Sequence, residues 1–144
     1  MDLKQHLTRQ AAFSRATFGP GARTKGVCDH IRKELVEVAD CYPLNDPDGN
    51  ISHADASFEW VDVAILSLDG LWRSVSAAHP EWTLDRVANE CVGLLVAKQG
   101  KNEMRHWPDW RTMSADKAIE HDRTKDRLPH REILPHTIVK TSTK

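Results

Sequence analysis

No run of about 18 apolar residues interrupts the 144-residue chain, so no membrane-spanning helix is expected. The opening segment MDLKQHLTRQ lacks the apolar stretch of a signal peptide, and a cytoplasmic location is the expectation. Cysteine is scarce. Cys28, Cys41 and Cys91 are odd in number and form no C-x-x-C pair, which argues against a disulfide framework and against structural zinc. An excess of one charge sign is also missing. The net charge of −1, with acids and bases mixed along the chain, offers no broad field to nucleic acid or to an anionic membrane. Internal repeats, low-complexity tracts and alternating strand patterns are absent too. What remains is an all-α helical bundle, a single domain over residues 1–123 followed by an extended or disordered tail over 124–144.

Helical periodicity organises that domain. A short helix is expected over residues 1–12, then a loop in FSRATFGPGARTKG, where glycines and a proline cluster. A strong helix follows from Thr24 to Cys41, and a turn-rich connection, YPLNDPDGNISHADAS, leads to a second from Asp55 to Ala77. The latter carries Phe58, Val61, Ile65, Leu68, Trp72 and Val75 at helical spacing and is expected to be buried. Thr83 caps a third helix reaching Arg105, and a short polar helix is expected over residues 115–123.

Charges occupy positions that apolar residues should fill. In RKELVEVAD, Glu34 falls inside the arc spanned by Val27, Ile31, Leu35 and Val38, and Glu37 lies at its edge. In EWVDVAILSLDG, Asp62 and Asp69 lie on the side of Phe58, Ile65 and Trp72, with Glu59 nearby. The pattern is E-x-x-E, 21 residues, then E-x-x-D, on two consecutive helices that should run antiparallel. A carboxylate withdrawn from water costs several kcal/mol unless it is paired, protonated or metal-bound. Four facing carboxylates call for cations, and hard oxygen ligands favour Mg2+, with Mn2+ as a substitute. Magnesium commonly shares its shell with phosphates, which points to a nucleotide. On the third helix Lys98, Asn102 and Arg105 continue the apolar face, and Lys98 with Asn102 suits phosphate and ribose binding.

With these acids in place, E-x-x-E, the spacer, E-x-x-D and the downstream KQGKNE resemble the all-α, MazG-like nucleoside triphosphate pyrophosphohydrolases. The phrases FSRATFGPG, HIRKELVEVAD, EWVDVAILSLDGLWR and KNEMRHWPDWR are similar to a phage-associated branch, the dATP/dGTP diphosphohydrolases, which includes the MazZ-type enzymes. The resemblance covers about residues 13–122. It implies hydrolysis of a purine deoxynucleoside triphosphate to the monophosphate and pyrophosphate, with dGTP favoured and dATP next. It also implies Glu34, Glu37, Glu59 and Asp62 as metal ligands, a homodimer or homotetramer, and the host cytoplasm if phage-encoded.

Further roles are assigned on that basis. Glu34, the most inward acid, is expected to steer or deprotonate the attacking water. Asp69 stands either behind the metal ligands as a partner for Lys98 or an arginine, or in the core as a satisfied residue. The early loop, with Ser14, Arg15, Phe18 and Arg23, is expected to close over base and phosphates. The alternative is a non-enzymatic helical self-association module. A calcium-binding reading of DPDGN fails, because position six of the loop is Ile51 or His53 where glycine is needed. An HD-phosphohydrolase reading of EHDR, residues 120–123, needs earlier metal-binding histidines and a distant downstream aspartate in a larger helical domain, and is set aside.

Overall fold

Helix boundaries follow local capping chemistry. The computed structural model describes residues 1–42, 52–114 and 117–124, and among the described residues it contains helices and no strand. Its elements are α1 (Leu3–Phe18), α2 (Thr24–Asp40), α3 (His53–Ala78), α4 (Leu84–Glu103) and a short 3₁₀ turn, Trp110–Thr112. Asp2 and Gln5 cap α1 reciprocally, with Gln5 N donating to Asp2 Oδ1 at 2.8 Å and Asp2 N to Gln5 Oε1 at 3.0 Å. The loop expected from Phe13 onward begins instead at Gly19, because nothing in FSRATF breaks a helix. Gly19, at φ +82°, ends α1 by donating its N–H to Arg15 O. Ser52 caps α3, and Thr83 Oγ1 accepts from Arg86 N at the start of α4.

The chain divides into two compact units, Met1–Val92 and Gly93–Lys144. In the first, α2 and α3 run antiparallel: Val27 meets Gly70, and Glu34 meets Glu59 and Asp62. An added Cβ at Gly70 would lie 3.4 Å from Val27 Cγ1, at the edge of ordinary van der Waals contact. Leu7, Ala11, Val38, Trp72, Val75, Val87, Ala88 and Cys91 form the core.

The apolar stripe of α3 is only partly buried, contrary to expectation. Phe58 is 71% exposed and Val61 50%, and Leu35 on α2 is 43% exposed. The reason is length. α1 meets α3 along Ile65 to Arg73, through Gln10 and Ser14, and the first turns of α3 extend past that cover.

The second unit holds the last turns of α4 and the segment after it. There Trp107 Nε1 donates to Asn102 O at 2.8 Å, and Asp122 N donates to His106 O at 2.9 Å. The helix expected over residues 115–123 is not found in its described part, 117–123. Residues 115 and 116 lie outside the described residues, as do 43–51 and the 125–144 portion of the expected tail.

Candidate metal centre and adjoining cavity

The two acidic pairs meet across the α2–α3 seam. One carboxylate oxygen from each of Glu34, Glu59 and Asp62 can be chosen so that all three lie within 4.8 Å of one another. Glu34 is buried, Glu59 half-buried and Asp62 exposed, so the trio runs from the helix interface to solvent. Glu37 is exposed and stands outside the trio, yet it is near enough to repel Glu59 and to share a hydrogen bond with it.

Crowding leaves an electrostatic mark. The Glu59 carboxyl is pushed above the usual range by burial first, then by the charges of Glu37, Asp62 and Glu34. Among the described residues no lysine or arginine forms an ion pair with any of these acids. Cys41 sits at the same end of the seam. Burial, followed by the charges of Glu59, Asp55, Asp40 and Glu37, pushes its thiol up and disfavours a competing thiolate ligand. An all-oxygen, mutually repelling donor set of this kind fits a hard divalent cation. The residues present could therefore hold a metal.

His30, one helical turn before Glu34, links the acids to a cavity. Its Nε2 lies 2.9 Å from Glu34 Oε1, and the same residue lines a space of about 160 Å³ between α1, α2 and α3. Phe13, Phe18, Val27, Ile65 and Leu66 make the walls mostly apolar. Apolar cavities of roughly 150 Å³ take up benzene, so this one has room for an aromatic ring.

Asp69 and Arg73 form the far wall, and here charge is fully compensated. Arg73 is 1% exposed and Asp69 7%. Arg73 Nε donates to Asp69 Oδ2 at 2.7 Å, Nη2 to Ser14 Oγ at 2.8 Å, and Nη1 to Gly19 O and Gly21 O at 3.1 and 2.7 Å. Trp72 Nε1 donates to the other Asp69 oxygen at 2.8 Å. The turn between α1 and α2 is thereby fastened to α3. It needs fastening, since Gly19, Gly21 and Arg23 all have positive φ and Arg23 enters α2 without a side-chain cap. Arg23 donates through Nη1 to Phe18 O, which draws two of the expected loop residues to the cavity mouth.

The other expected site residues are placed differently. Arg15 is exposed and lines a separate cleft with Gly21, Trp72, Arg73 and Pro80. Of the two options for Asp69, its partners are an arginine and a tryptophan. Lys98, Asn102 and Arg105 belong to the second unit, where Lys98 is exposed and Arg105 Nη1 donates to Asn102 Oδ1 at 2.9 Å. Sequence reasoning missed His30, Arg73 and Gln10. Two of these carried a signal, since His30 with Glu34 and Asp69 with Arg73 are both i, i+4 pairs.

Comparison with known proteins accords with this geometry. The model of the dATP/dGTP pyrophosphohydrolase family matches residues 6–126, most of the chain. No curated protein and no solved structure matches it. Among the described residues no helix is long and apolar enough to cross a membrane.

Proposed function

The chain belongs to the dATP/dGTP pyrophosphohydrolase family, and from that premise we propose that it is a Mg2+-dependent diphosphohydrolase converting a purine deoxynucleoside triphosphate to the monophosphate and pyrophosphate. The observation that carries this reading is the contact between two unlike regions. Three carboxylates with no lysine or arginine partner adjoin, through His30, an apolar cavity with room for an aromatic ring. Glu34, Glu59 and Asp62 would hold the cation, with Glu37 beside them. When bound, the cation supplies neutralisation of the triphosphate and polarisation of the phosphorus under attack.

The chain's own residues account for the rest. Phe13 and Phe18 present apolar faces to a base in the cavity, and Arg23 stands at its mouth. Glu34, with one oxygen 2.9 Å from His30 Nε2, is the acid we assign to steering or deprotonating the attacking water. Lys98 and Asn102 are proposed as phosphate ligands on the strength of their sequence pattern. The exposed Phe58, Trp60 and Val61 on α3 support self-association as a homodimer or homotetramer. Within the purines we place dGTP first.

Pyrophosphate release from dGTP, dATP, dCTP and dTTP, each with and without Mg2+, tests this reading. Metal-dependent turnover of the purines is expected. A clear preference for a pyrimidine, or turnover indifferent to the metal, would remove it.

A further inference from the structure

His30 stands where the acids and the cavity meet. Its Nε2 lies 2.9 Å from Glu34 Oε1, while the same side chain lines the space between α1, α2 and α3. The two partners are unequally enclosed, for the His30 side chain is 55% exposed and that of Glu34 only 11%. The fold therefore does not need His30 for its core.

An ionised carboxylate only accepts, so a hydrogen bond at this distance needs the proton on Nε2, with the imidazole donating. One such bond leaves lone pairs on Glu34 open to a cation. A glutamate side chain is long and turns freely, so without a partner its carboxylate would be spread over several positions, of which few meet Glu59 and Asp62. Holding it in one place removes that cost. Lysine or arginine could do the same, but either would bring a fixed positive charge that competes with the cation for the carboxylate. An imidazole can donate while neutral, and carboxylates that ligate metals are usually fixed by a second group in this way.

Resting on the assignment of these acids to a metal, we propose that His30 is a positioning residue. Its Nε2–H holds the Glu34 carboxylate where it joins Glu59 and Asp62 around the cation.

The test titrates Mn2+ into the full chain without nucleotide, following free Mn2+ by electron paramagnetic resonance, beside melting curves in EDTA and KM for dGTP at saturating metal. His30→Ala should weaken Mn2+ binding by about 10- to 100-fold, the range seen when the partner of a metal ligand is removed. Its melting temperature in EDTA should change little, because His30 is exposed. His30→Gln puts an amide N–H one helical turn before Glu34 and should recover most of the lost affinity. Unchanged Mn2+ affinity in His30→Ala overturns the proposal, and a raised KM for dGTP beside it would mark His30 as a wall of the cavity alone. A His30→Gln protein that binds Mn2+ no better than His30→Ala overturns it too, since the N–H would then not be what matters. If the unaltered protein binds no Mn2+, the reading of the acids falls, and this proposal with it.

Discussion

The α2–α3 pair handles its carboxylates in two opposite ways within about three helical turns on α3. Asp69 is enclosed by donors from its own chain, Arg73 on one oxygen and Trp72 on the other. Glu59 and Asp62, together with Glu34, have no lysine or arginine partner among the described residues, and Glu59 is pushed towards its protonated form. The first arrangement is complete and serves the fold. The second has no lysine or arginine to balance it, so its acids could hold a metal where Asp69 could not.

The sharpest way to break this contrast is to remove one acid at a time. Glu34→Ala, Glu59→Ala and Asp62→Ala should each lower Mg2+-dependent hydrolysis by about 100-fold or more, the scale of losing several kcal/mol of charge stabilisation. Thermal unfolding of each variant without metal should occur at or above the parent temperature, because like-charge repulsion has been relieved. Pyrophosphate release and a melting curve measure the two halves. More than about a tenth of parental activity in two of the three variants would dissolve the contrast.

Arg73→Ala should do the reverse to stability. It strands Asp69 in the interior and releases Gly19 O, Gly21 O and Ser14, so a loss of about 3–5 kcal/mol is expected in denaturant titration. A double-mutant cycle with Asp69→Asn should show strong coupling between the two residues.

A weaker effect follows from pH. The folded-state pKa of Glu59 is raised, so the folded state binds that proton more tightly than the unfolded state does. The resulting stabilisation is fully present below the unfolded carboxylate pKa and is lost as pH rises through the folded one. In EDTA the melting temperature should therefore gain from acidification across the carboxylate range, and Glu59→Gln should flatten that gain. Added Mg2+ should raise the melting temperature most at neutral pH, where the acids are ionised.

Smallest is Gly21→Ala. No atom lies within 4 Å of the added Cβ, so the cost is the backbone's alone at φ +91°, about 1 kcal/mol in urea unfolding.

Much of this was legible in the sequence because helical periodicity reports which face a residue occupies. Helices α2, α3 and α4 lie within about two residues of expectation, and the inward placement of Glu34 and Asp69 followed from angle alone. Angle says nothing about how far a neighbouring helix reaches, so Phe58 and Val61 were expected in a core that α1 does not cover. It is equally silent on long-range polar partners. Arg73 was invisible as the clasp of the Gly19–Gly21 turn because its acceptors there are main-chain carbonyls, which every residue possesses.

The same clasp bears on the order of assembly. Its bonds to Ser14, Gly19 and Gly21 join residues separated by 52 to 59 positions, so they form only after a long stretch of chain has closed on itself. Helices that form from near neighbours do not wait for it. If the clasp forms on the late side of the folding barrier, Arg73→Ala should accelerate unfolding and leave refolding almost unchanged, which stopped-flow rates would check. Arg73 acts in this sense as a latch on the lifetime of the native state, holding shut a turn that three left-handed residues would otherwise let open.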